Sequence, residues 1–130
     1  TVYGKGEQKR GYLNLKDTIN CIEIASKNPP QPGKMSILNQ FTETFTVNEI
    51  ASKVKKAGNK IGLNVKIKSI NNPRKEKEKH YYNPKYTGLK KLGLKPNYMS
   101  EEVIITMLNF VQKYKKKINS NIIKPRVNWK

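Results

Sequence analysis

Two arginines on loops are the residues best suited to chemistry in this chain. Arg10 lies in Gly4-Lys5-Gly6-Glu7-Gln8-Lys9-Arg10-Gly11-Tyr12-Leu13-Asn14-Leu15-Lys16-Asp17, a glycine-loosened basic loop that runs into a short apolar strand and an acidic helix start. Arg74 follows Asn72-Pro73 and precedes His80-Tyr81-Tyr82-Asn83-Pro84. A guanidinium stays charged at physiological pH and presents paired donors that match phosphate oxygens. Two such groups near an aromatic pair suit a ligand carrying a diphosphate. The competing reading pairs each arginine with a local carboxylate, Glu7, Glu76 or Glu78. Tyr81 either meets a ribose or sugar, or packs beneath the helix expected after Asn83.

Catalytic groups are harder to find. Gly4-Lys5-Gly6 lacks the third glycine of a dinucleotide fingerprint, and no phosphate-loop lysine follows it. The single His80 has no companions for a metal site and reads as a structural partner. Tyr12/Lys16 and Tyr81/Lys85 have the spacing of a tyrosine–lysine acid–base pair, which needs one continuous helix face. The first pair runs along an expected strand and the second crosses Pro84, so chance in a lysine-rich chain accounts for both. The lone Cys21 excludes an internal disulfide and reads as a small apolar helix residue. No catalytic or metal-ligating residue is assigned.

The composition is strongly basic, with 27 Lys and Arg against 9 Asp and Glu in 130 residues, a net charge of +18. Such an excess attracts polyanions, including nucleic acid, anionic membrane and nucleotide phosphates. Only Arg10, Arg74 and Arg126 are arginines, and the lysines are mixed with many Asn and Ile. Lysines on solvated helix faces, in a chain of biased composition, are the plainer reading. Apolar residues make up 35% of the chain, enough for a lean core, and no apolar run reaches the length of a membrane span.

Few, short strands must position these residues. Residues 1–3 read as a strand end, 4–11 as a loop and 12–15 as a strand. Asp17 is expected to cap a helix to about Lys27, with Ile19, Ile22 and Ala25 as its partly apolar face. Prolines 29, 30 and 32 with Gly33 end that helix, and residues 35–38 are expected to form a buried strand. Thr46-Val47-Asn48-Glu49 is a capping box, opening a helix with Val47, Ile50, Ala51, Val54 and Ile61 at helical spacing before Gly62. Val65, Ile67 and Ile70 suggest a strand. Asn83-Pro84 opens a short helix bearing Leu89 and Leu92, closed by Gly93. Ser100 caps the last helix, with Ile104, Met107, Leu108, Val111 and Ile118 as its inward stripe. The tail, with Pro125 and Trp129, is expected along a surface. The pattern is α/β, with too few strands for a self-sufficient sheet. The strand-like opening at Thr1 without a Met suggests the second half of something larger.

Tyr3-Gly4, Gln8, Arg10-Gly11-Tyr12-Leu13 and Asp17-Thr18 resemble the substrate-domain signature of extended short-chain dehydrogenases, the nucleotide-sugar epimerases and dehydratases. More narrowly, three segments resemble the UDP-sulfoquinovose synthases of sulfolipid synthesis. They are Thr1-Val2-Tyr3-Gly4-Lys5-Gly6, Asn39-Gln40-Phe41-Thr42-Glu43-Thr44-Phe45, and Asn72-Pro73-Arg74 through His80-Tyr81-Tyr82-Asn83. The likeness extends over essentially all 130 residues.

The resemblance implies that residues 1–130 are the carboxy-terminal, nucleotide-sugar-binding lobe of a Rossmann-type enzyme, inactive alone. NAD and the catalytic Tyr, Lys and Thr would belong to the absent amino-terminal half. The implied reaction converts UDP-glucose and sulfite to UDP-sulfoquinovose through a 4-keto-5-ene. Carried over, backbone groups of Thr1, Val2 and Tyr3 would meet the uracil. Arg10 and Arg74 would clamp the diphosphate, and Tyr81 would lie near the phosphates or ribose, with Gln8 and Gln40 as weaker contacts. A homo-oligomer formed through the missing half, no nucleic acid, and a cytoplasmic or plastid-stroma location are also implied. The lysine-rich region 53–91 departs from the family pattern. Another epimerase or 4,6-dehydratase is the nearest alternative, and a small basic nucleic-acid-binding module is the alternative from a different class.

Overall fold

The computed structural model describes residues 1–72, 84–119 and 122. The described elements are strands β1 (Val2–Tyr3), β2 (Lys9–Tyr12), β3 (Glu43–Thr46) and β4 (Ser69–Ile70), and helices α1 (Leu15–Lys27), α2 (Val47–Lys60), α3 (Gly88–Lys91) and α4 (Glu101–Lys113). A 3-10 turn at Lys115–Lys117 follows α4. This is a small α/β arrangement with two two-stranded sheets, β1 with β4 and β2 with β3. Its residues divide into two compact units. One contains residues 1–8, 46–72 and 100–119, the other residues 9–45 and 84–99.

In the first unit, β1 and β4 run parallel with Val2 opposite Ser69 and Tyr3 opposite Ile70. The expected strand over 65–70 is limited to its last two residues. Val65 donates to the Leu63 carbonyl (2.9 Å) and to the Asn59 side chain (3.3 Å), a turn that withholds its backbone from a ladder. The capping box of α2 forms as the sequence predicts: the Thr46 hydroxyl accepts from Glu49 N (3.2 Å) and the Glu49 carboxylate accepts from Thr46 N (2.6 Å). Ala57 and Gly58 of α2 are buried, as is Ile104 of α4, against which α2 packs. Gly58 lets the chain close on itself, because a Cβ there would run into the Val65 side chain.

Ser100 caps α4 by accepting from Val103 N (3.3 Å), as expected. The predicted inward stripe is narrower than its spacing suggests. Ile104 is buried and Leu108 half-buried, whereas Met107, Val111 and Ile118 are exposed. Among the described elements α4 packs chiefly on α2, and an apolar stripe wider than that contact leaves its margins in solvent.

The second unit departs more from expectation. Its strand begins at Lys9, three residues before the predicted 12–15, because Tyr12 already closes the pairing through its carbonyl, which accepts from Thr42 N (2.9 Å). The cap of α1 is Asn14, whose side chain accepts from Lys16 N (3.0 Å), and not Asp17. Asp17 lies within the first turn and is buried. The core packs Cys21, Leu89 and Leu94 with the half-buried Leu13, Ile24 and Leu38. Burial raises the Cys21 thiol above its ordinary pKa, and the Asp17 carboxylate adds to the effect.

The apolar run expected to be buried at 35–38 is mostly outside. Residues 35–38 form no strand: Met35 and Ile37 are 82% and 78% exposed, and only Leu38 reaches the core. A turn in which Lys34 N donates to the Gln31 carbonyl (2.9 Å) precedes them. In α1 the buried face is Asp17, Cys21 and Ile24 rather than Ile19 and Ile22, which are exposed. Helix α3 begins at Gly88, four residues after Pro84, and Leu92 is at its exposed end. Asn83, like Pro125 and Trp129, lies outside the described residues.

Candidate functional site

The predicted ligand-facing residues fall into both units. Thr1, Val2, Tyr3 and Gln8 belong to the first and Arg10 to the second. Arg74 and Tyr81 lie outside the described residues, together with Glu76, Glu78, His80 and Arg126.

Strand β1 fixes the first group by its pairing. Val2 N donates to the Lys68 carbonyl and Gly4 N to the Ile70 carbonyl, both at 2.8 Å. In a parallel ladder alternate residues bond to one side, so the N–H and carbonyl of Tyr3 point to the opposite edge. The Tyr3 carbonyl accepts from Gln8 Nε2 (3.4 Å), which ties the far end of the glycine loop back to the strand. Val2 is buried and Tyr3 half-buried, while Thr1 is exposed. Of the three, Val2 therefore serves packing through its side chain, and Tyr3 presents backbone groups on the edge away from β4.

The loop after β1 is shaped by two glycines with positive φ, Gly4 (62°) and Gly6 (69°). Asn48, in the first turn of α2, holds it on both sides: its N–H donates to the Gly6 carbonyl (3.0 Å) and its Nδ2 to the Lys5 carbonyl (2.8 Å). This loop leads into β2 and not into a helix. A dinucleotide-binding turn needs a helix N-terminus behind its glycines to face the diphosphate. The Gly4–Gly6 loop therefore lacks the strand–turn–helix order of a dinucleotide-binding turn.

Arg10 is the second residue of strand β2, where the glycine loop meets the strand, with an exposed side chain whose Nη1 donates to the Lys9 carbonyl (2.9 Å). Tyr12, two residues on, packs its ring against Phe45 with centroids 5.8 Å apart. Lys16 lies in the first turn of α1, so Tyr12 and Lys16 do not share the helix face that an acid–base pair needs. Gln40 is exposed. Among the described residues no group of three or more His, Cys, Asp and Glu could hold a metal.

Sequence reasoning missed the polar clamps of the second unit. Residues 84–99 contain one four-residue helix and are held largely by side chains of residues 9–45. Asn39 Nδ2 donates to the Lys85 carbonyl (2.6 Å), and Glu43 Oε2 accepts from Met99 N (2.7 Å). Both oxygens of the buried Asp17 are used as well, Oδ2 by Asn97 N (2.7 Å) and Oδ1 by Asn97 Nδ2 (2.6 Å). Phe41 adds a ring contact to Tyr86 (4.7 Å), and Lys90 Nζ donates to Tyr98 Oη (3.2 Å). The Asn-Gln-Phe-Thr-Glu stretch thus supplies Asn39, Phe41 and Glu43 to one task. Its Thr42 hydroxyl is buried without a hydrogen-bond partner among the described residues.

No protein-family model matches the chain. Among curated proteins, the chloroplastic UDP-sulfoquinovose synthase of Spinacia oleracea is 49% identical over 130 residues, all of this chain and 27% of the spinach protein. The UDP-sulfoquinovose synthase of Sulfolobus acidocaldarius is 42% identical over 132 aligned positions, again all of this chain and 34% of the archaeal protein. The chain thus spans between about a quarter and a third of the length of these relatives. Along its whole length it is a relative of the carboxy-terminal part of UDP-sulfoquinovose synthases.

Proposed function

We propose that residues 1–130 are the nucleotide-sugar-binding part of a UDP-sulfoquinovose synthase that makes UDP-sulfoquinovose from UDP-glucose and sulfite for sulfolipid synthesis. The observation that carries this reading is the match of all 130 residues to part of two such enzymes, at 49% and 42% identity. NAD would supply reversible oxidation of the sugar and would be bound by polypeptide outside these residues. The chain's own contribution is to hold the nucleotide sugar. The outward N–H of Tyr3 suits the edge of a uracil, with Thr1 and Gln8 beside it on the same unit. The Arg10 guanidinium, carried on a paired strand, suits a phosphate oxygen pair. Arg74 and Tyr81 complete the proposed set through the resemblance alone.

An extended short-chain dehydrogenase lobe fits the few strands and several helices, and a homo-oligomer formed by the remaining polypeptide is part of the same proposal. The spinach relative is chloroplastic, and no helix among the described residues is long and apolar enough to cross a membrane. A plastid or cytoplasmic location is proposed accordingly.

The test uses the full-length gene product, incubated with NAD+, UDP-glucose and sulfite and analysed by mass spectrometry. A sulfonated UDP-sugar is the expected product. UDP-galactose or a stable 4-keto sugar without sulfonation would replace this reading with another epimerase or 4,6-dehydratase. No turnover, together with nucleic acid retained in moderate salt, would favour the basic binding module.

A further inference from the structure

Helix α4 ends in a concentrated block of positive charge. Four of the five residues from Lys113 to Lys117 are lysines, and Glu102 is the last acidic residue of the sequence. All four lysines are exposed. Elsewhere lysines meet carboxylates: Lys27 pairs with Glu23, and Lys56 and Lys60 share Glu101. Among the described residues no carboxylate pairs with the block. Glu101 and Glu102 occupy the first turn of the same helix. At 1.5 Å per residue they lie about 17 Å or more from Lys113, roughly two Debye lengths at physiological salt, too far to neutralise it.

The block borders an apolar patch. Phe110, Met107 and Val111 are 64%, 59% and 50% exposed, and Tyr114 and Ile118 are exposed as well. At about 100° per residue Met107, Phe110, Val111 and Tyr114 fall within an arc of about 100°, beside the side that carries the buried Ile104. The rings of Phe110 and Tyr114 pack with centroids 4.8 Å apart. Lys113 Nζ and Lys117 Nζ lie 5.8 and 5.6 Å from the centre of the Tyr114 ring, so ammonium groups rim the aromatic pair. An aromatic and aliphatic face edged with lysines suits a lipid headgroup layer. The rings enter the acyl boundary while the lysine stems lie along it and their charges stay with the phosphates.

We propose that the carboxy-terminal half of α4 and the Lys115–Lys117 turn form a docking surface for an anionic lipid bilayer, which the protein binds peripherally. Charge selects this occupant: lipid phosphates complement four lysines that have no carboxylate partner, and the acyl boundary takes up the apolar patch. A nucleic acid would use the lysines but leave Met107, Val111 and Ile118 in water. The Tyr114 ring, on which a base would stack, already carries two ammonium groups. The surface contains none of the residues proposed to hold the nucleotide sugar, so the two proposals stand or fall separately.

Co-sedimentation of the full-length protein with vesicles tests this, using phosphatidylcholine alone or equal parts of phosphatidylcholine and phosphatidylglycerol. Binding is expected only to the anionic vesicles, and to fall as salt is raised. Replacing Lys113, Lys115, Lys116 and Lys117 together by Gln should weaken it at least tenfold, since each lysine at an anionic surface accounts for about a fivefold change. Replacing the exposed Lys34, Lys85, Lys91 and Lys95 by Gln removes the same charge from the other unit and should weaken it far less. Phe110→Ser should lower binding at every salt concentration while keeping the salt dependence of the parent, because a ring in the acyl boundary is not screened. Equal losses in the two lysine variants would assign binding to net charge and overturn the proposal. So would no binding by the parent protein, equal binding to both kinds of vesicle, or retention of duplex RNA in place of vesicles, which would make the occupant a nucleic acid. Unchanged binding by Phe110→Ser would overturn the insertion of the patch.

Discussion

The carboxylate of Asp17 grips Asn97, eighty residues further along the chain, through both its backbone N–H (2.7 Å) and its side-chain amide (2.6 Å). A buried carboxylate is costly unless its oxygens are matched by donors, and here each has one. The pair joins the first turn of the helix behind Arg10 to a segment with little regular structure. Replacing Asp17 with Ala would strand two donors, at a cost of about 3–5 kcal/mol. Asp17→Asn keeps the size but turns an amide toward a donor, and should cost less than Ala and still be destabilising. Amide exchange over residues 94–99 checks this: protection should fall first there, and unchanged protection in the Ala variant would refute the anchoring role.

Why this pair escaped the sequence is instructive. An aspartate shortly after a strand-like run has the signature of a helix cap, and nothing local distinguishes a cap from an inward-facing first-turn acid. Its partner is distant, so no spacing rule connects the two. The capping box of α2 and the cap of α4 were legible because their bonds close within three residues. The face of α1 was not, because a helix with two apolar sides has the same periodicity whichever turns inward. Residues 35–38 show the same limit in a short run, where Leu38 is used by the core and Met35 and Ile37 are not. At the candidate site, residue types and family likeness were readable, but the pairing that aims Tyr3 outward and places Arg10 within a strand belongs to the fold.

Gly6 is the tightest point of the loop after β1. Its φ of 69° is a region that side chains rarely adopt, and a Cβ would meet the Val2 side chain at 2.7 Å as well as the Asn48 amide. Gly6→Ala should therefore cost about 1–3 kcal/mol from backbone strain alone, with the steric clash in addition. Gly33, whose φ is 77° but which has open space around it, is the control, and Gly33→Ala should pay only the strain. Denaturant melts of the two variants would show the difference. Equal losses would mean that the Val2–Asn48 wall yields.

The Glu101–Lys60 ion pair (2.5 Å), with Lys56 at 3.6 Å, spans α2 and α4 and sets a pH window for their packing. The hydrogen bond from Lys60 holds the Glu101 carboxyl below its ordinary pKa, and the same bond holds Lys60 above its own. A depressed acid contributes stability above its unfolded pKa and loses it as pH falls through the folded value. A raised lysine contributes below its unfolded pKa and loses it as pH rises through the folded one. Both contributions are present between the ordinary carboxylate and lysine ranges. Glu101→Gln should thus lower the protection of α4 amides at neutral pH, modestly because the Lys60 end of the pair is largely solvated. The variant and its parent should converge as pH drops below about 4. A gap that persists in acid would assign the effect to packing instead of charge.

Arg10 offers the sharpest test of the proposed nucleotide-sugar site. Its side chain is exposed on β2, and its neighbours place it well: Tyr12 is locked against Phe45, and the Tyr12 carbonyl is bonded to Thr42 N. A guanidinium on so short a paired strand loses less freedom on binding a phosphate than one on a loop, which favours a charge-assisted contact of about 2 kcal/mol. In the full-length enzyme Arg10→Ala should therefore weaken UDP-glucose binding about 30-fold. Binding of free glucose, which has no diphosphate, should not change in parallel. Arg10→Lys keeps the charge but not the paired donors, so it should recover only part of the loss. Titration of UDP-glucose and UDP against the three proteins settles the matter. If Ala binds both as the parent does, Arg10 is a solvated strand residue and the diphosphate is held elsewhere. If Lys restores binding completely, the contact is a point charge and the bidentate geometry is wrong.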